Sequence, residues 1–220
     1  GFDARPILGS VSTYARSRIG GFEGRALRAG DTLPLARPSA TPGVEHALAT
    51  PLDPGRNQPI RLVLGPQNEM FTAQARETLL TSAYTISNSA DRMGVRLDGP
   101  ALAHAGNSEI VSDGTAPGSI QVPGSGQPIV LLADRQTTGG YPKIATIIST
   151  DLPVLARRRP GDRVEFEAVD VAEALAIRTE HVRWLEGCAT SIVTGRNPMV
   201  SLVELLYGEN LISGVTAGAE

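Results

Sequence analysis

Lysine is nearly missing from this 220-residue chain: of its 20 basic residues one is lysine, Lys143, and the rest are arginine. A Walker-type phosphate loop needs Gly-Lys-Ser/Thr. Lys143 follows Pro142, so the chain carries no such loop. Biotin is carried on a Met-Lys dipeptide, and none of the three methionines precedes a lysine. Any use of ATP or biotin is therefore expected to come largely from another chain or domain. Cysteine is as scarce. Cys188 stands alone, which excludes an internal disulfide and fits a reducing, cytoplasmic setting. His46, His104 and His181 lie far apart without a Cys pair or a His-x-x-x-His spacing, so no metal site is expected. No apolar run approaches the roughly 20 residues of a membrane helix, and no membrane partner is expected. A net charge of −3 and a pI near 5.7 provide no field for nucleic acid. No Gly-x-Ser-x-Gly elbow is present, and Cys188 has no evident base beside it. The chain opens without Met and directly on element-like sequence, so a fragment or a processed piece is expected.

Aromatic residues make up only 4% of the chain, against 24 Gly and 16 Pro, a composition that points to many turns and a mainly β body with short helices. Pro59–Leu64 and Lys143–Ser149 read as buried strands, Tyr84–Ser87 and Met93–Leu97 as shorter ones. Arg163–Val169 alternates Val164, Phe166 and Ala168 against charge, the pattern of a half-solvated strand. Ala73–Leu80 has helical spacing with Thr72 as cap, and Asp151–Ala156 reads as one helical turn capped by Asp151. Residues 36–59 are rich in Pro, Ala and Thr without a period and read as a structureless linker. In the tail, Val171, Leu175, Arg178, Val182 and Leu185 fall on one face of a helix over 171–186, with Leu175 and Val182 expected to cover apolar surface. A second helix is expected over 198–207, after Asn197-Pro198.

The chain is organised around Gln121–Lys143. Turn residues lead into the apolar run Ile129–Ala133, which delivers Asp134, Arg135, Gln136, Thr137 and Thr138 to one rim before Gly139-Gly140 turns back through Tyr141 to Lys143. A Gly pair admits close backbone approach or positive φ. Two further polar loops offer Gln67 and the set Asn88, Asp91 and Arg92. Amide, hydroxyl, guanidinium and carboxylate groups suit a small amide or carboxylate substrate, oriented and polarised rather than attacked covalently. Lys143, Asp134 and Gln136 are the candidates for catalysis. Gln67, Asn88, Asp91, Arg92, Arg135, Thr137, Thr138, Gly139, Gly140 and Tyr141 are the candidates for substrate binding. Arg92 and Arg135 read equally as anion partners or as ion pairs with Asp91 or Asp134 that tie loops together. Lys143 itself is expected on the rim at the start of a returning strand, where a compact ammonium is not replaceable by Arg.

The segments LGSVSTY at 8–14, GPQ at 65–67, SADRMGVRLDGP at 89–100, IQVPGSGQPIVLLADRQTTGGYPKIATII at 120–148 and RRPGD at 158–162 resemble the biotin-dependent carboxyltransferase-like family. That family includes the C-type subunit of 5-oxoprolinase, allophanate hydrolase subunit 2 and the carboxyltransferase domain of urea carboxylase. The resemblance implies cyclophilin-like β-barrel architecture. It divides the chain into a remnant of a first subdomain plus linker (1–58), a barrel subdomain (59–170) and a helical tail (171–220). Family members carry further sequence before the Leu-Gly-Ser-x-Ser-Thr element, and they usually have an aromatic residue where Val95 follows Arg-Met-Gly. The resemblance implies a C-type part in ATP-driven opening of 5-oxoproline to glutamate by a cytoplasmic hetero-oligomer with A-type and B-type subunits, ATP being bound through the complex. One alternative is carboxyl transfer from carboxybiotin, carried elsewhere, to urea or a related amide. The other is a non-catalytic regulatory binding module.

Overall fold

The computed structural model describes residues 1–37, 46–49 and 58–194; the helix expected over 198–207 lies outside them. The chain divides into two compact units, Gly1–Ala47 with Val193–Glu220, and Leu48–Ile192.

In the first unit, residues 1–37 are held by turns and single bridges, Phe2 with Leu35, Ile7 with Ser10 and Tyr14 with Ile19. Within it, Arg25 grips Asp31 through two bonds of 2.8 Å and stands over the Phe22 ring. The Arg25 bonds, with the Arg28 N–H, lower the Asp31 carboxyl to about 2.

The second unit is the barrel. The strands among the described residues are β1 (His46–Leu48), β2 (Ile60–Leu64), β3 (Tyr84–Ile86), β4 (Gly94–Asp98), β5 (Asp113–Gly114), β6 (Ser119–Gln121), β7 (Ile129–Leu131), β8 (Thr138–Gly139), β9 (Lys143–Ile147), β10 (Arg163–Val164), β11 (Phe166–Ala168) and β12 (Ile192–Thr194). The α-helices among them are α1 (Ala73–Thr81), α2 (Leu152–Ala156) and α3 (Val171–Thr190). Eight strands form one sheet in the order β10-β3-β4-β7-β6-β9-β2-β11. Its neighbours are antiparallel except β2 and β11, which run parallel. β10 and β11 are consecutive in sequence yet sit at opposite ends of that order, so the run 163–168 joins the two ends and nearly closes the barrel. The alternation expected over 163–169 is present at Val164 and Phe166, both buried, and fails at Ala168, which is exposed while Val169 is buried. Val164 pairs with Tyr84 in one ladder and Phe166 with Ile60 in another, and the alternation stops where β11 ends, at Val169, whose N–H donates to the Leu62 carbonyl at 2.9 Å.

The interior is aliphatic. Ile60, Leu62, Leu97, Ile120, Val130 and Ile144 point inward from five strands, and α1 adds Ala75 and Leu79. Thr72 caps α1, its hydroxyl accepting the Ala75 N–H at 3.0 Å. Tyr84 is fully buried, its hydroxyl donates to the Pro100 carbonyl at 3.2 Å, and burial pushes its pKa up to about 12.

Four expectations are corrected. The 36–59 stretch is not wholly without structure, because β1 pairs with β12 in a two-stranded ladder. Asp151 stands before α2 but makes no side-chain cap. Its carboxylate accepts instead from the Arg61 backbone N–H, Nε and guanidinium NH2 at 2.9, 2.9 and 2.7 Å. The tail helix runs four residues further than expected, to Thr190, and none of its residues is buried. Leu175 is 62% exposed and Val182 41%; Ile177, His181 and Trp184 line a cleft beside β2 and α2, and Arg178 of the expected stripe donates to the Ser149 hydroxyl at 3.0 Å. Lys143 lies at the start of β9 as expected but not on a rim; its side chain is only 4% exposed.

Candidate functional site

The buried strand β7 carries the polar stretch out of the barrel beside β4. Leu132 N–H donates to the Met93 carbonyl and Asp134 N–H to the Arg92 carbonyl, both at 2.9 Å, which brings the 87–92 and 134–135 loops together. The side chains repeat the link. Arg92 holds Asp134 with two bonds, Nε to Oδ2 at 2.7 Å and NH2 to Oδ1 at 3.1 Å, and the guanidinium keeps the Asp134 carboxyl below the usual carboxylate range. The ion pair that ties these loops together is thus formed by Arg92 with Asp134. Asp91 turns inward on its own loop: its Oδ1 accepts from Met93 N–H at 2.8 Å and Gly94 N–H at 3.1 Å, an Asx-type turn. Arg135 makes no ion pair among the described residues; its Nε donates to the Thr115 carbonyl at 3.3 Å. Asn88 is exposed in the β3–β4 turn, and no hydrogen bond among the described residues joins it to these groups.

From Gln136 onward the stretch belongs to a second neighbourhood. The Thr115 hydroxyl donates to the Gln136 carbonyl, Thr115 N–H donates to the Thr137 carbonyl at 3.0 Å, and Ile110 N–H donates to the Gly140 carbonyl at 2.9 Å. Thr138 and Gly139 form β8 against Asp113 and Gly114 of β5. The loop 110–115, which looks like a solvated Gly/Ser/Asp connection, is thus zipped along the rim.

Side chains fasten it. Lys143 Nζ donates to Asp113 Oδ2 at 2.7 Å and to the Gly114 carbonyl at 3.2 Å. Gln67 bridges the same pair, its Oε1 accepting from Lys143 N–H at 3.2 Å and its Nε2 donating to Asp113 Oδ2 at 3.4 Å. The Lys143 bond, then the Gly114 N–H, hold the Asp113 carboxyl below its usual range. Next to them Gln121, buried on β6 and paired in register with Lys143, accepts from Gln136 Nε2 at 3.1 Å and donates to the Tyr141 carbonyl at 3.3 Å. Of the glycine pair only Gly139 is there for close approach: a Cβ on it would fall 2.5 Å from Gln121 Nε2, whereas one on Gly140 would meet nothing nearer than 3.5 Å. Neither adopts positive φ.

The expected residues thus fall into two groups. Gln67, Gln136, Thr137, Thr138, Gly139, Gly140, Tyr141 and Lys143 gather around β5 and β8. Asp91, Arg92 and Arg135 line a separate cleft of about 770 Å³ together with Val95, Leu132 and Leu152, and Asp134 joins them through its pair with Arg92. Asp113, Thr115 and Gln121 take part in the first group and are absent from the residues singled out by sequence. Gln121 had a signal in the Ile120-Gln121-Val122 run, a lone amide between buried apolar residues. Asp113 had none. Among the described residues no set of three or more His, Cys, Asp or Glu is placed to hold a metal, and the His104 ring lies tilted against Phe71 with Nε2 3.1 Å from the Val122 carbonyl.

A nearly closed eight-stranded barrel, its rim laced by side-chain amides and by a buried lysine paired with an exposed aspartate, defines a cyclophilin-like barrel domain. The chain belongs to the family described as the carboxyltransferase domain, subdomain A and B, which matches residues 1–168. It is 39% identical over 189 residues to the C-type subunit of 5-oxoprolinase from Escherichia coli (strain K12), covering 86% of this chain and 60% of that protein. To a putative urea carboxylase of Emericella nidulans it is 30% identical over 190 residues, covering 81% of this chain and 15% of that protein. The fold matches the crystal structure of Kluyveromyces lactis urea carboxylase with a TM-score of 0.71 over 90% of this chain and 20% of that one; at 22% identity this is a likeness of fold. The chain spans about 60% of the length of the Escherichia coli relative.

Proposed function

We propose that this chain works as the C-type component of a cytoplasmic, ATP-dependent 5-oxoprolinase complex, contributing to the opening of the ring amide of 5-oxoproline to glutamate. The observation that carries the reading is the balance of identity, 39% to the 5-oxoprolinase relative against 30% to the putative urea carboxylase. The chemistry of the rim agrees with it. Opening a lactam adds water across the ring C–N bond, and a site that polarises the carbonyl and holds the carboxylate needs donors and guanidinium groups rather than a protein nucleophile. ATP is supplied through A-type and B-type partner subunits, since the chain has no phosphate loop of the Walker type.

Within this reading the residues take different parts. Lys143, Gln67 and Gln136 act as positioning residues: their bonds are spent on Asp113, Gly114 and Gln121, and they hold the β5–β8 rim in one shape. Asp134, locked by Arg92, acts the same way for the neighbouring loops. Thr137, Thr138 and Tyr141 are exposed on that rim and are the groups a substrate or partner subunit would meet. The second reading, carboxyl transfer from carboxybiotin to urea or a related amide, is favoured by the family's own description. The test is turnover of 5-oxoproline by the chain alone and with A-type and B-type subunits. ATP-dependent release of glutamate only in the full assembly is expected. No turnover in the assembly, with carboxylation of urea by a biotin-bearing partner, would replace the first reading by the second.

A further inference from the structure

From Gly106 to Pro117 the chain buries none of its residues, and Val111 is 93% exposed. What holds this segment to the barrel is polar. Ile110 N–H donates to the Gly140 carbonyl at 2.9 Å and Thr115 N–H to the Thr137 carbonyl at 3.0 Å, β5 pairs with β8, and Asp113 accepts from Lys143 Nζ and Gln67 Nε2. What it covers is polar as well. Asp113 and the Gly114 carbonyl close over the Lys143 ammonium, whose side chain is shielded from water, and the buried Gln121 lies beside them in its bond to Gln136. Both ends are anchored: Ala105 N–H donates to the Met70 carbonyl at 2.8 Å and Gly118 N–H to the Leu131 carbonyl at 2.7 Å. A loop that caps apolar side chains cannot lift without exposing them to water. Here lifting uncovers an ammonium and amides, which water solvates, and breaks hydrogen bonds that water replaces. Segments with few buried apolar contacts open at free energies well below that of global unfolding.

We propose that residues 106–117 form a strap that lifts from the intact barrel as a unit, with Asp113 as its latch on Lys143. While the strap is down, the chain's own carboxylate occupies the ammonium and keeps other groups from it, an autoinhibitory contact built into the fold. When it lifts, Lys143 Nζ and the Gln67 amide face water at the barrel rim. The barrel itself does not depend on the strap: β6 begins at Ser119, and its ladders to β7 and β9 include no residue before that position. Gly118 marks the far end of the moving part. It holds a φ of +84°, and a Cβ there would fall 2.9 Å from the Ile147 carbonyl oxygen, so the backbone at that point is seated tightly against β9.

Because Lys143 is the one lysine of the chain, an amine reagent reports on a single side chain. The experiment follows its acylation by N-hydroxysuccinimidyl acetate, located by peptide mass spectrometry, beside amide hydrogen exchange of the 220-residue chain. In the wild-type chain Lys143 is expected to react roughly a hundredfold more slowly than the lysine of a short model peptide. The Ile110 and Thr115 amides are expected to exchange at least roughly tenfold faster than those of Leu97, bonded to the Pro128 carbonyl, and Gly118. Asp113→Ala is expected to speed both Lys143 acylation and Ile110 and Thr115 exchange roughly tenfold or more, and to leave Leu97 and Gly118 as they are. Lys143 reacting as fast as the model peptide would mean that nothing covers it. Ile110 and Thr115 exchanging no faster than Leu97 would mean that the segment opens only with the barrel. Either result overturns the strap and needs only the wild-type chain. A folded Asp113→Ala that moves neither acylation nor exchange overturns the latch.

Discussion

Replacing Asp151 by Ala tests how the barrel wall is joined to α2. The carboxylate is almost fully buried and accepts four bonds: three from Arg61 at 2.7–2.9 Å and one from the Thr150 hydroxyl at 3.0 Å. Without it the Arg61 backbone N–H in β2 loses its acceptor and the guanidinium loses its counter-charge. Removing one partner of a buried pair costs about 3–5 kcal/mol. The Arg61 side chain is about one-third exposed and can turn to water, so the lower end, about 3 kcal/mol, applies. For a chain of this size that lowers Tm by about 6–12 °C. Asp151→Asn keeps one acceptor and should fall between the two. The pH dependence has a definite sign. Burial raises the Asp151 pKa, but the Arg61 side chain, the Arg61 N–H and Thr150 outweigh it and the net shift is downward. A carboxyl with its folded pKa below its unfolded one stabilises fully above the ordinary aspartate range, and that contribution disappears as pH falls through the folded value. Thermal melts of wild type and Asp151→Ala should therefore be well separated at neutral pH and converge in acid. A separation under about 2 °C at neutral pH, or one that does not shrink on acidification, would refute the reasoning.

Lys143→Arg places a wider group in a position with 4% side-chain exposure, and overpacking of about 1–3 kcal/mol is expected in denaturant titration; Lys143→Met, which fits the space, should cost less, and the reverse order would show that the ammonium is needed for the fold. Gly139→Ala forces the buried Gln121 amide away from its bonds to Gln136 and Tyr141 and should cost about 1–3 kcal/mol, whereas Gly140→Ala should leave the urea midpoint nearly unchanged. Leu175→Asp, at an exposed site on α3, should alter the stability of the chain by no more than about 0.5 kcal/mol; a large loss would mean that the helix packs in solution.

The strands were legible where burial writes itself as composition. Ile60–Leu64, Ile129–Leu131 and Lys143–Ile147 are Ile-, Leu- and Val-rich runs between turn residues, and the Thr72 cap is a local signal that needs no tertiary knowledge. The tail helix was legible as a helix but not in its facing. Periodicity reports that an apolar stripe exists, and both stripes of α3 are partly apolar, so which one docks is decided by the surface opposite. Lys143 was found by rarity, yet its burial was not, since the group that permits it is Asp113, a residue far along the chain in a loop with no pattern of its own. The change of partner at Glu165 is hidden for the same reason: alternation describes one strand with one face, and it cannot record that the strand changes neighbours midway.

That change of neighbours has a consequence for the order in which the barrel can be completed. Ile60 waits for Phe166 and Tyr84 waits for Val164, so every other ladder of the sheet is available before the last run emerges during synthesis. Until then β2 and β3 are bare edges, able to pair with other chains. A nick or an insertion at Glu165 would make that transient state permanent, turning a sheet that nearly closes on itself into an open one with two adhesive margins. The single residue between β10 and β11 is in this sense the clasp of the molecule, and aggregation rather than lost chemistry is what its disruption should produce.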